Sequence, residues 1–283
     1  FWFLIIVMSV MNWFRTELIN KIVGFNSHIT IKSYDDNGID QNKLNNNNLK
    51  SISENLFFSN SGEAIILKNN TSKGIVLRGY LTKEFSDLAI IKNDKLKGNR
   101  SKLNKNSISI GNELSFSLDL KLGDKITLMS PSGVETIIGS MPKQKTFEIT
   151  SIFNSGLAEF DNNIAIINLD TLDEFFDFEQ KDRNLEIYLK DPKNIKSQKQ
   201  IVQKIFDQEF IFTWADMNSS LFSALKVERN VMFIILSLII IVAAFNIISG
   251  LTILVKNKTR DIAILKSIGV QNRSITKIFF MVG

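Results

Sequence analysis

Glycines spaced as in a phosphate-binding loop occur at Gly74 and Gly79. Such a loop needs Lys and then Ser or Thr after the second glycine, to reach the phosphates and a magnesium ion. Tyr80 and Leu81 stand there instead, so no nucleotide site is expected. Asp35-Asp36-Asn37-Gly38 has the residue types of a calcium loop, but its ligand spacing is wrong and no Glu closes it. His28 is the sole histidine and could serve as ligand or base; beside Asn26, Ser27 and Thr30 it reads as a hydrogen-bonding loop residue. One histidine and no cysteine argue against a Ser-His-Asp triad, a multi-His metal site and a thiolate site. The acid pair Asp173/Glu174 sits among phenylalanines and reads as the solvated face of a helix. The chain is therefore expected to be no enzyme, with no catalytic residues, no cofactor and no metal.

Its composition carries a different message. The 283 residues are 44% hydrophobic and 22% charged, with a net charge of +5. Six bases and one acid between Lys256 and Gly283 account for the whole excess, leaving residues 1–255 neutral. A nucleic-acid binder carries its basic face on the folded domain, so no nucleic acid is expected as a partner. Just before the basic segment, Val231 to Val255 are 25 residues without a charge. As a helix they reach roughly 37 Å, against a hydrocarbon core of about 30 Å. They read as a membrane span. Lys256, Lys258 and Arg260 mark its cytoplasmic end, which puts everything before Arg229 outside.

Two further apolar runs, Phe1–Val10 and Ile278–Gly283, are too short to cross by themselves. With no Met at position 1, the sequence reads as a fragment cut at both ends. The first run would be the end of one span and the last the start of another. Between them, short apolar runs bounded by turn residues predict strands at 29–31, 64–67, 75–77, 125–128, 147–152, 164–167 and 185–189. Helices are expected over 169–178, with Asp170 as a possible cap, over 194–210, and from Met217 into the span. The mixture implies an α+β external domain inserted between transmembrane helices. Asn45–Asn48 and the Lys/Asn-rich stretch 92–106 read as exposed loops. A helix running unbroken over 217–255 would join the outer domain to the bilayer as a rigid rod.

Several phrases then become recognisable. Met8-Ser9-Val10-Met11-Asn12-Trp13-Phe14-x-x-Glu17-Leu18, followed by Ile22-Val23-Gly24-Phe25-Asn26-Ser27-His28-Ile29, resembles the LolC/LolE family of lipoprotein-releasing ABC-transporter permeases. Gly156-x-x-Glu159-Phe160-Asp161 is similar to that family's external Gly-x-x-Glu-aromatic-Asp phrase. Trp214, Asn218, Leu221-Phe222-x-Ala224-Leu225 and Glu228 match its entry to the second span, and Val242 to Ile247 the span itself. Lys258-x-x-Asp261-Ile262-Ala263-Ile264-Leu265-Lys266-x-x-Gly269 recurs throughout the wider FtsX-like/MacB-like permease group. The resemblance is weakest over 35–100, and spans three and four are not covered.

The resemblance implies a MacB-like periplasmic domain and multiple inner-membrane spans. On the residues this divides the chain into the end of span one (1–22), the periplasmic domain (23–216), stalk and span two (217–255), a cytoplasmic coupling segment (256–277) and the start of span three (278–283). It implies a cytoplasmic ABC ATPase subunit as partner, with a second permease subunit, membrane lipid, a lipoprotein substrate and a periplasmic lipoprotein carrier. Met8, Met11, Phe14, Ile22, Phe222, Leu225, Val231, Met232 and Phe233 are the expected lipoprotein-binding walls, since Met and Phe suit flexible acyl chains; each could equally be a helix-packing contact. Asp261, Ile262, Leu265, Lys266, Ile268 and Gly269 are expected to dock on the ATPase, against the alternative of a basic helix lying on anionic lipid. Residues 134–145 fall where LolC-type members carry a protruding loop that catches the carrier. Ile138, Met141, Pro142, Lys143 and Lys145 are its candidate contacts, with Met141-Pro142 as apolar tip; the bland alternative is a turn at Ser130–Gly133 and an ordinary strand pair. An FtsX-like signalling permease and a MacB-like efflux component remain competing functions.

Overall fold

The structure, a computed structural model, describes residues 2–34, 37–68, 71–92, 96–101, 103–136 and 139–282. They divide into two compact units, one of residues 9–219 and one of residues 1–8 with 220–283. Helix α1 (Trp2–Phe25) is followed by strand β1 (Ile29–Lys32), helix α2 (Asn47–Ile52) and the long strands β2 (Ser53–Lys68) and β3 (Thr71–Tyr80). Two short helices, α3 (Thr82–Phe85) and α4 (Ala89–Lys92), lead to β4 (Lys97–Gly98), β5 (Ser107–Gly111) and helix α5 (Asn112–Ser117). A hairpin of β6 (Lys125–Thr136) and β7 (Gly139–Phe153) precedes α6 (Ala158–Asn163), β8 (Ile164–Asn168) and α7 (Leu169–Phe176). Then come β9 (Asn184–Leu189), α8 (Ile195–Ile205), β10 (Phe210–Thr213) and a single turn, α9 (Trp214–Met217). Helices α10 (Ser219–Asn257), α11 (Thr259–Ser267) and α12 (Asn272–Val282) complete the order.

Among the described residues ten strands form one mixed sheet, ordered β10-β1-β9-β2-β3-β8-β5-β7-β4, with β6 pairing β2 and β7. Most neighbours are antiparallel; β3–β8 and β5–β7 are parallel. The alternation of strand side chains explains how one strand serves two cores. Ala165 and Ile167 of β8 face a core with Leu77, Ile110 and Phe147. Ile164 and Ile166 face another, with Phe25, Phe85 and Phe153. All five β8 residues are buried accordingly. A third core lies under α2 and α8, where Leu49, Val202 and Phe206 cover Ile29, Ile31 and Ile187. Helix α6 presses against the end of β5 so closely that a Cβ on Gly111 would sit 2.1 Å from the Asp161 carbonyl oxygen.

Several expectations need correction. The helix expected from Met217 is interrupted at Asn218, which has φ −110° and ψ 33°, and α10 begins at Ser219; beyond it α10 is unbroken to Asn257. The helix expected over 194–210 stops at Ile205 because Phe210–Thr213 pair with β1 as a strand. Asn168, not Asp170, caps α7, accepting from the Thr171 N–H; Asp170 pairs with Arg183. Asp173 is buried, not solvated, and accepts from Arg183 Nε at 2.7 Å and from Asn60. Gly74–Gly79 lie along β3, where no phosphate loop could form. Asn45–Asn48 are exposed as expected, though Asn45 ends one short helical turn and Asn47 and Asn48 open α2, and Leu103 within the stretch 92–106 is fully buried. Asp35 and Asp36 lie outside the described residues.

Candidate functional site

The exit of α1 and the entry to α9 lie on neighbouring strands of the larger unit. Strand β1, which follows α1, pairs with β10, which precedes α9, opposing Ile29 to Thr213. His28 sits at the junction. Its N–H donates to the Ile187 carbonyl at 3.1 Å, its carbonyl accepts from the Trp214 N–H at 3.1 Å, and its Nδ1 accepts from the Leu189 N–H at 2.7 Å. Burial pushes the imidazole below its ordinary pKa, opposed by backbone hydrogen bonding at Val23 and Leu189 and by the charge of Glu54. A ring that accepts at Nδ1 is the neutral Nε2–H tautomer. Thr213 and Asp216 then form a capping box for α9, and Lys199 of α8 holds the Asp216 carboxylate at 2.8 Å.

The root of α1 is held by aromatic and polar contacts. Phe25 packs on Phe160 with ring centroids 4.7 Å apart, and the Arg78 guanidinium lies 5.0 Å above the Phe25 ring. Arg78 Nη2 also donates to Asn26 Oδ1 at 2.8 Å. One residue beyond Phe160, buried Asp161 accepts from the Ser155 N–H at 2.8 Å and closes the loop around Gly156. The phrase Gly156-x-x-Glu159-Phe160-Asp161 therefore builds the socket for Phe25. Behind it lies a polar cluster that the sequence reading missed. The Glu186 carboxylate accepts from Ser59 Oγ at 2.7 Å, Tyr80 OH at 3.0 Å and Tyr188 OH at 3.1 Å. Burial raises both phenols, so they remain protonated donors.

The expected lipoprotein walls divide between the units. In the larger unit Met11 is half-exposed, Phe14 exposed and Ile22 buried. In the smaller unit Met8, Val231 and Phe233 are exposed, Phe222 and Met232 half-exposed, and Leu225 buried. At 100° per residue Phe222, Leu225, Met232 and Phe233 share one face of α10, while Val231 falls on the opposite side. Val231 therefore does not belong with the other four.

The basic segment is a helix with a fixed stop. Lys258 precedes α11 and pairs with Asp261 at 3.0 Å. At its end the Val270 N–H bonds the Leu265 carbonyl and the Gly269 N–H bonds the Lys266 carbonyl, a Schellman pair with Gly269 at φ +86°. A side chain at 269 would be strained. The expected ridge splits: Ile262 and Leu265 are half-covered, Asp261 and Lys266 exposed, and Ile268 is 72% exposed. Ile264, one turn before Ile268 and also exposed, was overlooked; its i, i+4 spacing was the available signal. The smaller unit's last helix starts at Asn272, six residues before the expected span, and continues to Val282.

The hairpin also departs from expectation. Met141 and Pro142 lie on β7 opposite Val134 and Gly133, so they are exposed strand residues and not a tip. Ser130–Gly133 lie within β6 and make no turn, though the register shifts there. Ile138 lies outside the described residues. Lys143 contacts Asp177, and Lys145 lies 3.7 Å from Glu174, tying β7 to the end of α7.

Among the described residues no His, Asp and Glu gather as metal ligands. One helix among them, α10, is long and apolar enough to cross a membrane. Residues 233–283 match the family described as FtsX-like permease C-terminal. Over 99% of its length the chain is 29% identical to the lipoprotein-releasing system transmembrane protein LolC of Neisseria meningitidis serogroup B, covering 69% of that protein. It is 26% identical to LolE of Haemophilus influenzae over 99% of the chain and 69% of that relative. The periplasmic region of MacB from Actinobacillus actinomycetemcomitans matches 70% of the chain and 94% of that domain at 12% identity, with a TM-score of 0.40, too slight to argue from. LolC of Buchnera aphidicola subsp. Schizaphis graminum is 30% identical across 99% of the chain and 69% of the relative's length; on that similarity the chain belongs to the LolC/LolE family of transmembrane permeases.

Proposed function

We propose that the chain is the membrane subunit of an ABC transporter that lifts lipoproteins out of the inner membrane and hands them to a periplasmic carrier. A separate cytoplasmic ATPase subunit drives the cycle. In this reading residues 23–216 are a MacB-like periplasmic domain, α10 is the second span, and α11 lies in the cytoplasm. The observation that carries it is the similarity to LolC and LolE along 99% of the chain, which takes in the outer domain as well as the span.

The energetics fit that task. Removing three acyl chains of about fifteen carbons from a bilayer costs on the order of 0.8 kcal/mol per CH₂, tens of kcal/mol in all. An apolar wall offsets part of this, and ATP hydrolysis must supply the rest. Met8, Met11, Phe14 and Ile22 on α1 and, as a separate surface, Phe222, Leu225, Met232 and Phe233 on α10 are the proposed apolar contacts. The exposed Ile264 and Ile268 on α11 are the proposed grip on the ATPase, and the outer part of the β6–β7 hairpin the proposed contact for the carrier.

Depletion of the protein tests the reading. Outer-membrane lipoproteins should then accumulate in the inner-membrane fraction. Normal sorting on depletion, with a cell-division or cell-wall defect instead, would replace it by the FtsX-like signalling alternative.

A further inference from the structure

Strand β10 closes one end of the sheet, and its two phenylalanines turn away from the core. Side chains alternate along a strand. Ile211 packs against the cluster of Ile29, Ile31 and Val202, while Phe210 and Phe212 take the other face. There Phe210 is 50% and Phe212 37% exposed, whereas every other aromatic on a strand among the described residues is buried or half-buried. Tyr34, just past β1, sets its ring edge-on to Phe210 with centroids 5.2 Å apart, and Phe210 stacks with Phe212 at 6.4 Å. Exposed Met217 reaches the same face, its Sδ 3.8 Å from the Oγ1 of Thr30, which pairs with Phe212. These four side chains form one exposed apolar row, the mark of a binding surface.

The polar groups along the row are already satisfied. The Ser27 and Thr30 hydroxyls bond each other at 2.8 Å, the Tyr34 N–H donates to Glu209 Oε2 at 2.8 Å, and the Thr213 N–H donates to Asp216 Oδ2 at 2.9 Å. The bond from Trp214 to His28 fixes the antiparallel phase, so Ile211 and Thr213 turn their peptide groups outward. With the Thr213 N–H taken, only Ile211 keeps both donor and acceptor open at this edge among the described residues, too little for an added strand. Lys32 stands opposite Phe210 and Glu209 bonds Tyr34; their opposite signs leave no net charge to select a charged partner. A hydrocarbon chain needs neither hydrogen bonds nor charge, and Met and Phe adapt to its varying shape.

Bilayer lipid does not supply that hydrocarbon. From Ser219 the helix runs twelve residues, roughly 18 Å, before its uncharged stretch starts at Val231. Lys226, Glu228 and Arg229 lie on the way. A chain that reaches the row has already left the membrane.

We infer that the row binds an acyl chain of the substrate after it has been drawn out of the bilayer, shielding it from water before the carrier takes it. The inference rests on the lipoprotein-releasing function proposed above and adds an apolar site on the outer domain to the contacts proposed on α1 and α10. The row opens at the free edge of the sheet, so an acyl chain can enter and leave it sideways.

Photo-cross-linking in native membranes tests it, with the full-length protein, its ATPase and a lipoprotein whose acyl chains carry an alkyne tag. A benzophenone placed at Phe212 should take up the tag during ATP-driven release, and one at Phe116, 86% exposed on α5, should not. Phe210→Ser combined with Phe212→Ser should slow release to the carrier roughly tenfold, on the scale of lost aromatic anchors. No tag at 212, equal tagging at 212 and 116, a cross-link at 212 to protein without its acyl chains, or undiminished release by the serine variant would each overturn the inference. A benzophenone at Phe233 separates the failures. Tag at 233 but not at 212 sinks the row alone; tag at neither position, with no release, sinks the lipoprotein-releasing reading as well.

Discussion

Trp214 donates its backbone N–H to the carbonyl of His28 over 3.1 Å. That bond fastens the turn leading toward α10 to the residue leaving α1, at one edge of the sheet. The imidazole of the same residue supports the next strand by accepting from Leu189. Three backbone segments therefore converge on one side chain and its peptide groups.

Replacing His28 by Leu should leave the Leu189 N–H buried without an acceptor, at a cost of about 1–3 kcal/mol. His28→Asn, with a carbonyl near the position of Nδ1, should recover part of the loss. Thermal unfolding of the detergent-solubilised protein reads both. Equal melting temperatures for His28→Leu and the parent would remove the imidazole from the support of this junction.

Glu84 predicts a pH dependence of opposite sign to that of His28. Burial raises its carboxyl from the ordinary 4.5 to about 7, against the Phe58 and Leu81 N–H groups that favour the charged form. Between those two values the folded chain holds a proton that the unfolded chain has released, so Glu84 weakens the fold as pH rises from 4.5 to 7. His28, lowered from 6.5 by burial, has the unfolded chain as its better proton binder and weakens the fold as pH falls through that value. Glu84→Gln should therefore flatten the loss of stability toward pH 7 and leave the loss on the acid side of 6.5 in place. Denaturant midpoints measured from pH 5 to 8 check this; parallel profiles for Glu84→Gln and the parent would contradict it.

Much of this architecture was legible because it depends on local pattern. The uncharged run 231–255 declares a helix by length alone, and β-branched runs such as Ile164–Ile167 declare buried strands. What stayed hidden depends on distant partners. Phe210–Thr213 looks like the tail of α8 until β1 draws it into the sheet. Asp173 looks like a surface acid because Arg183, which compensates its burial, lies ten residues on and across a turn. Glu186 gives no local sign that Ser59, Tyr80 and Tyr188 will converge on it, since two of the three come from other strands. On α11 the exposure of Ile264 beside Ile268, and on α10 the displacement of Val231 from Phe222, Leu225, Met232 and Phe233, follow from helical periodicity once the helix bounds are fixed.

On α11 the exposed pair Ile264 and Ile268, 54% and 72% exposed, offers a concrete test of the proposed ATPase contact. They lie one turn apart, so they form a single apolar knob, and the Gly269 stop holds Ile268 at the end of the helix. A helix seated in a protein groove draws its affinity from such anchors, whereas a helix resting on anionic lipid depends on Lys and Arg. Ile264→Ser with Ile268→Ser should therefore weaken ATPase association by roughly thirtyfold, the scale of a lost hot spot. Arg260→Gln should change it little. Binding of the purified ATPase subunit to the permease in nanodiscs of neutral lipid measures both, with membrane insertion checked by protease protection. The reverse ranking, with Arg260→Gln the damaging change and the isoleucines dispensable, would assign α11 to the lipid surface and leave the ATPase to be gripped elsewhere.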